Sequence, residues 1–425
     1  MRLMRSNLSP CRHSGWNRGR RVVICLGLGM LVSSLIAVAG TPQSPESQVL
    51  RFEFYRNAIW VEARVNGSRP LHFQLDTAAG ACVLDRAVAD ELKMKVLTEY
   101  SAQAGSGDNA ARIAVHPATA IAIGGVTLDL PQIASLPLDE VARSFGTAID
   151  GIIGFPLMQR FVVTVDFDER TLTLTDPALF HPPAGAAELA LDNVLKSREP
   201  VVTARVIVGG GRPVDGRFLI DEPHPDSLLF ATPFVREHDL LAASRTLTPR
   251  PLPGTATGVG GQFDLEIGRV EALQLGPFSL ARPTAAYATN ARGGAFARTD
   301  IAGIIGGEVL RRFRMTLDFA HGRMFFERGK QYAEPFEADA SGMKVKSVPE
   351  SFRRFAVTEV APATPAAEAG VQVGDRLLAI DGRADAEWTV WTIQKLFRKP
   401  GTEHTVMLGR GDRTLTVTLK LRQLV

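Results

Sequence analysis

Two aspartates stand at the ends of matching apolar runs. Asp76 closes Phe73-Gln74-Leu75 and leads through Thr77-Ala78-Ala79-Gly80 to the apolar pair Val83-Leu84. Asp221 closes Phe218-Leu219-Ile220 and leads through Glu222-Pro223-His224-Pro225 to Leu228-Leu229. An apolar run that ends on an acid reads as a strand delivering a carboxylate to its rim. Two such carboxylates brought together share one proton, because their repulsion keeps one protonated while the other stays ionised. Such a pair can activate a water by general acid and base catalysis without a metal. The eight histidines are scattered without ligand spacing, and no serine or cysteine sits in a nucleophile motif. The expectation is therefore no metal and no cofactor.

The elements that would position the aspartates also come in two copies. Val61-Glu62-Ala63-Arg64-Val65 is echoed by Val202-Thr203-Ala204-Arg205-Val206, each followed by a glycine turn and an Arg-Pro pair. Downstream, Asp150-Gly151-Ile152-Ile153-Gly154 leads to Phe161, Thr164 and Asp166, and Ala302-Gly303-Ile304-Ile305-Gly306 leads to Phe313, Thr316 and Asp318. The aspartates lie 145 residues apart, a period too long for a solenoid and suited to two tandem domains. Residues 49 to 66 alternate around Arg56-Asn57 and predict a hairpin, as do 121 to 128 and 162 to 174. Asp85 to Met94 predicts a short helix capped by Asp85. Gly209-Gly210-Gly211 reads as a turn. Cys82 reads as a buried lone cysteine, and Arg311-Arg312 and Arg353-Arg354 as solvated surface. The divisions expected are a first lobe over 49 to 178, a connector over 179 to 199, a second lobe over 200 to 330, and a separate unit over 345 to 425.

Residues 1 to 39 hold six arginines and no acid, and an apolar stretch from Val22 ends in Ala37-Val38-Ala39. This predicts a signal peptide or an uncleaved amino-terminal anchor, hence an exported and periplasmic protein, with membrane contact only if the segment is kept. Without those six arginines, a chain of 48 basic and 45 acidic side chains passes from a formal charge of +3 to −3. Its basicity thus belongs to the leader, which argues against a nucleic-acid partner. Of three cysteines only Cys82 lies beyond the leader, so no internal disulfide is expected.

Asp76-Thr77-Ala78, Asp221 in its repeat, and the Ile-Ile-Gly motifs at 152 to 154 and 304 to 306 resemble the aspartic peptidases of the pepsin and retropepsin type. The resemblance implies a mainly β fold: a two-lobed aspartic-protease-like β-barrel repeat. It also implies peptide hydrolysis by Asp76 and Asp221, with the Thr77 hydroxyl bracing the two aspartate loops. A flap over the cleft is implied at Gln103 to Asn109, which contains Gly105 and Gly107, and Gly258 to Gln262 holds the matching place. The chain departs from the family pattern at Ala78, which adds one methyl, and at Glu222-Pro223. Glutamate offers no hydroxyl for the brace, and proline removes an N–H. Three further expectations concern Glu222: it points outward, or the loop Glu222 to Ser227 rearranges so that Asp226 takes part, and its charge raises the working pKa values of the pair.

Beyond residue 345, Val357-Thr358-Glu359-Val360, Pro365-Ala366-Ala367-Glu368-Ala369-Gly370, Val373-Gly374-Asp375 and Ile380-Asp381-Gly382 closely resemble a PDZ domain of the bacterial type, a small α+β fold. A second helix is expected from about Thr389 to Phe397 and a last strand over Thr414 to Leu421. The resemblance implies recognition of extended or carboxy-terminal peptides by strand addition. By position, the loop that reads the carboxylate falls at Arg354-Phe355-Ala356-Val357. The expected function is thus an exported aspartic endopeptidase acting on peptide or protein substrates, with a PDZ domain recruiting partners. The alternative is a peptide-binding protein that keeps the fold without catalysis. Pairing of two first lobes from separate molecules is a further arrangement.

Overall fold

The computed structural model describes residues 47–425 except 104–109, 193, 249, 259–260 and 350, and for Gln103 the backbone alone. The expected flap residues Gly105 and Gly107, and the leader over 1 to 39, lie outside the described residues. At 47% strand and 17% helix, the protein is mainly β.

Three large sheets build residues 47 to 328. One, within residues 53 to 153, and another, within 201 to 306, run through the same order of strands. In each, the strand that ends at the aspartate (Leu71–Leu75; Arg212–Asp221) lies parallel to the Gly-Ile-Ile strand (Gly151–Ile153; Gly303–Gly306). That strand pairs on its other side, antiparallel, with the apolar strand that follows the aspartate (Val83–Asp85; Leu228–Phe230). The chain therefore loops out at each aspartate and returns two strands away. These strands are nearly continuously apolar because both faces are covered, and Phe73, Leu75, Leu84, Ile153, Phe218, Ile220 and Ile305 are all buried in one core.

The third sheet joins the halves. Its six strands run in the order Ser47–Arg51, Thr171–Thr175, Val162–Asp166, Phe313–Asp318, Arg323–Arg328, Ala187–Ala190. At its centre Thr164 lies opposite Thr316, with their hydroxyls 2.9 Å apart. The segment expected as a connector thus supplies an edge strand, Ala187–Ala190. The hairpin expected over 49 to 66 is divided in the same way: Ser47–Arg51 pairs with Thr171–Thr175, and only Glu53–Tyr55 folds back on Ala58–Val65 around Arg56 and Asn57, both at positive φ. Phe52 breaks the run because its ring turns inward, packing edge-on against Phe54 and Phe167.

The short helices follow their caps. Asp85 accepts from the Ala87 N–H and opens Arg86–Glu91, which ends before Lys93 at positive φ. Thr389 caps Val390–Leu396. Arg312 overturns the surface reading of the Arg311-Arg312 pair: it is fully buried, its guanidinium 3.7 Å above the Phe336 ring and bonded to Glu308 at 3.0 Å. Local carbonyls, of Glu308 and Pro335 among others, satisfy the donors that burial would otherwise strand.

The carboxy-terminal unit is a sheet in the order Met343–Val348, Ser351–Val360, Arg376–Ile380, Glu403–Arg410, Arg413–Lys420, packed with the helices Pro365–Glu368 and Val390–Leu396 around Phe355, Val357, Ile380, Ile393 and Leu408. It docks on the earlier residues. Arg56 stacks over Phe145 at 5.2 Å and bonds Gln394 at 3.1 Å, and Gly146 lies so close that a Cβ there would come within 2.7 Å of Val390. Among the described residues no helix is long and apolar enough to cross a membrane.

Two glycines set how near each aspartate loop can fold. A Cβ on Gly154 would lie 2.4 Å from the Ala79 carbonyl oxygen, and one on Gly306 would lie 2.3 Å from that of Asp226. Gly154→Ala should therefore lower stability by about 1 to 3 kcal/mol, the usual cost of overpacking, as read by urea denaturation.

Candidate active site

Asp76 ends its strand with its N–H bonded to the Ile153 carbonyl at 2.9 Å, so the Ile-Ile-Gly strand holds the backbone of the acid in place. Its Oδ1 accepts from the N–H groups of Ala78 at 2.8 Å and Ala79 at 2.9 Å. Ala78 thus keeps the donor that a glycine would offer there.

Thr77 is fully buried and bridges the two halves through one oxygen. Its hydroxyl donates to the Ile220 carbonyl at 2.7 Å and accepts from the Glu222 N–H at 3.0 Å. These two groups flank Asp221 in the chain, so Thr77 fixes where the second aspartate stands relative to the first. The reciprocal bond is missing, because Glu222 occupies the corresponding place. Its carboxyl turns inward instead: Oε2 accepts from the Ile59 N–H at 3.4 Å, and Oε1 has no hydrogen-bond partner among the described residues.

Three carboxyls therefore meet at one junction, Glu222 buried and the two aspartates half-buried. Burial pushes Asp76 up to about 6, with the Ala78 and Ala79 N–H groups holding it down in part. Burial and then the Asp76 charge raise Asp221 well above the usual carboxylate range, opposed by the His224 N–H alone. Glu222 is raised well above its usual range too, by burial first and then by both aspartates. Asp76, with two N–H donors, is the member of the pair that ionises first. Asp226, the other acid of this loop, is exposed to solvent, and it is Asp221 whose charge couples to Asp76. Among the described residues no three histidine, cysteine, aspartate or glutamate side chains converge to hold a metal.

Two residues not singled out in the sequence complete the junction. Asn57, at the hairpin turn of the first half, donates to the Pro225 carbonyl and to Glu308 Oε2, both at 2.8 Å. Glu308 is in turn gripped by Arg311 at 2.7 Å and Arg312 at 3.0 Å. An Asn in a two-residue turn reads as turn chemistry, so no local signal marks it as a bridge.

The loop expected at Arg354-Phe355-Ala356-Val357 is corrected by the structure. These residues form the middle of a strand paired on both sides: Phe355 faces Ser347 and Leu377, and Ala356 faces Lys346 and Arg376. Phe355 and Val357 are core, and a strand with both edges taken has no N–H groups to offer a peptide. Among the described residues the edge strands of this sheet are Met343–Val348, beside it, and Arg413–Lys420 at the far side. In the turn before Met343, Asp339 accepts from the N–H groups of Ser341 at 3.2 Å and Gly342 at 2.5 Å. The signal for this was Gly342, at φ 75°, directly before an alternating Met-Lys-Val-Lys run.

A family model described as aspartyl protease matches residues 61–157, which include Asp76, Thr77 and Gly154, and one described as PDZ domain matches residues 338–421. No curated protein matches the chain.

Thr77→Val removes both bonds of the bridge and strands a buried N–H and a buried carbonyl. The expected loss is about 2 to 6 kcal/mol, from roughly 1 to 3 for each orphaned group, measured by denaturant unfolding. Glu222 has a folded pKa raised above its unfolded value. Its carboxyl is therefore best tolerated below the usual carboxylate range, and stability is lost as pH rises through the folded pKa. Glu222→Gln should gain on the parent as pH rises from about 4 to 8. Melting temperatures that run parallel across that range would count against a buried Glu222.

Proposed function

For a chain carrying an aspartyl protease domain and a PDZ domain, we propose an exported endopeptidase that hydrolyses peptide bonds with a water held between Asp76 and Asp221. The observation that carries this reading is the Thr77 hydroxyl bonded on both sides of Asp221, which ties the loop of one aspartate to the backbone of the other. The arginine-rich, then apolar, segment over residues 1 to 39 supports export.

In this mechanism Asp76, the lower of the coupled pair, is ionised and takes a proton from the water as it attacks the peptide carbonyl. Asp221 keeps its proton and hydrogen-bonds the carbonyl oxygen, stabilising the charge that develops there. Collapse of the tetrahedral adduct returns a proton to the leaving amine. Ionisation of Asp76 near pH 6 puts the working range closer to neutral than an unhindered carboxylate would. Activity should rise through about pH 6 and fall once Asp221 also ionises.

A specific observation favours a second reading. Glu222 replaces the returning half of the bridge, and its Oε1 has no hydrogen-bond partner among the described residues, which suits a cleft that binds peptides without cutting them. Cleavage of a mixed peptide library by residues 40 to 425, from pH 4 to 9, separates the two. The expected result is hydrolysis that falls at least about 100-fold in Asp76→Asn and in Asp221→Asn, the scale of lost general acid or base catalysis. A folded parent protein that retains peptides and cuts none would establish the binding reading instead.

A further inference from the structure

A cavity of about 250 Å³ lies where the two lobes and the PDZ domain meet. On one side it touches every residue from 252 through 257, and on the other every residue from 342 through 346. Successive side chains of a strand point to opposite faces, so a cavity that touches each residue in turn runs along the strand's edge. Both strands are terminal in their sheets among the described residues, Leu252–Gly258 in the second lobe and Met343–Val348 in the PDZ domain. Two free edges thus face one gap.

Side chains bridge that gap at Thr255. Its N–H donates to Glu359 Oε2 at 3.1 Å, its carbonyl accepts from Lys344 Nζ at 2.6 Å, and its hydroxyl donates to Glu359 Oε1 at 2.5 Å. Lys344 and Glu359 sit opposite each other on neighbouring strands and are ion-paired at 3.0 Å. Together they present one acceptor and one donor to the outer edge of Thr255, as the peptide groups of an adjoining strand would. Lys346 adds a bond to Thr257 Oγ1 at 2.7 Å.

We propose that strand Leu252–Gly258 of the second lobe is the far wall of the PDZ domain's peptide slot, and that an extended peptide enters between the two edges by displacing the Lys344–Glu359 pair. The inference rests on the PDZ domain being a peptide-binding module and does not depend on catalysis. The cavity walls set the chemistry of the peptide. Met343, Ile393 and Phe397 on one side, with Leu265 and Ile267 on the other, suit aliphatic side chains, while Arg398, Lys346, Asp226 and Asp339 line the same cavity with both signs of charge. The volume falls short of the roughly 300 to 1,000 Å³ of ordinary ligand sites, so the pair must give way before a peptide fits. His224 and Asp226 also line the cavity, so a peptide held here runs beside the loop that carries Asp221.

The test uses the full chain carrying Asp76→Asn, so that the probe stays intact whether or not the parent cuts peptides. The probe is a fluorescein-labelled octapeptide of alternating valine and serine, followed by anisotropy. Lys344→Ala with Glu359→Ala should tighten binding at least tenfold, and Glu359→Gln should tighten it by less. Adding Thr255→Pro, which deletes the outward N–H at an edge where proline is tolerated, should abolish the gain. Binding that does not tighten overturns the proposal, and so does a gain that survives Thr255→Pro. If the double alanine variant does not melt cooperatively, the same two outcomes are read from Glu359→Gln, with and without Thr255→Pro.

Discussion

The Thr77 hydroxyl, donating to Ile220 and accepting from Glu222, is the interaction on which the site depends. Each half of the molecule can place its own aspartate at a strand end. Neither half can set the separation of the two, because that distance lies across separate sheets. One buried oxygen with two partners sets it, and the Thr164–Thr316 contact in the shared sheet repeats the logic at the joint between the halves. Asn57 adds a third link by reaching the Pro225 carbonyl. Buried hydrogen bonds of this kind fix geometry more than they add stability, since an alternative arrangement would leave a donor or acceptor unpaired.

The two halves use the same chain path and differ in what they offer the carboxylate. The first loop aims two N–H groups at Asp76, whereas the second has proline where a donor would stand and leaves Asp221 with the His224 N–H. The difference orders the two acids, Asp76 below Asp221. Glu222, buried beside them, is raised in turn, by burial first and then by both aspartates. The PDZ domain bears on the same region from outside. Arg56 is bonded to Gln394 of its helix, while the neighbouring Asn57 is bonded to the loop that follows Asp221, so one hairpin turn touches both the PDZ domain and that loop.

Much of this was legible in the sequence because it is local. The period-two patterns, the Asp85 cap and the glycine turns each depend on a few neighbouring residues. So did the feature that matters most, an acid closing an apolar strand beside an Ile-Ile-Gly run. Sequence and structure part where the same local pattern has two tertiary outcomes. Residues 49 to 66 alternate throughout, yet Phe52 divides them between sheets because its ring finds Phe54 and Phe167. Arg354 to Val357 follows the residue order of a binding loop, yet pairing on both edges makes it core strand. Arg312 carries a full charge and is buried, because Phe336 and a set of carbonyls surround it.

The sequence by itself determined the strand-borne aspartates, the mainly β class and the two kinds of domain, since these follow from hydrophobic periodicity and short motifs. Tertiary structure alone decided which edges are free, which charges are buried and which carboxyls share a junction. The physical reason is range. Side-chain alternation acts over a few residues, whereas edge pairing and desolvation depend on what arrives from more than a hundred residues away, as Thr77 does for Glu222, 145 positions along the chain.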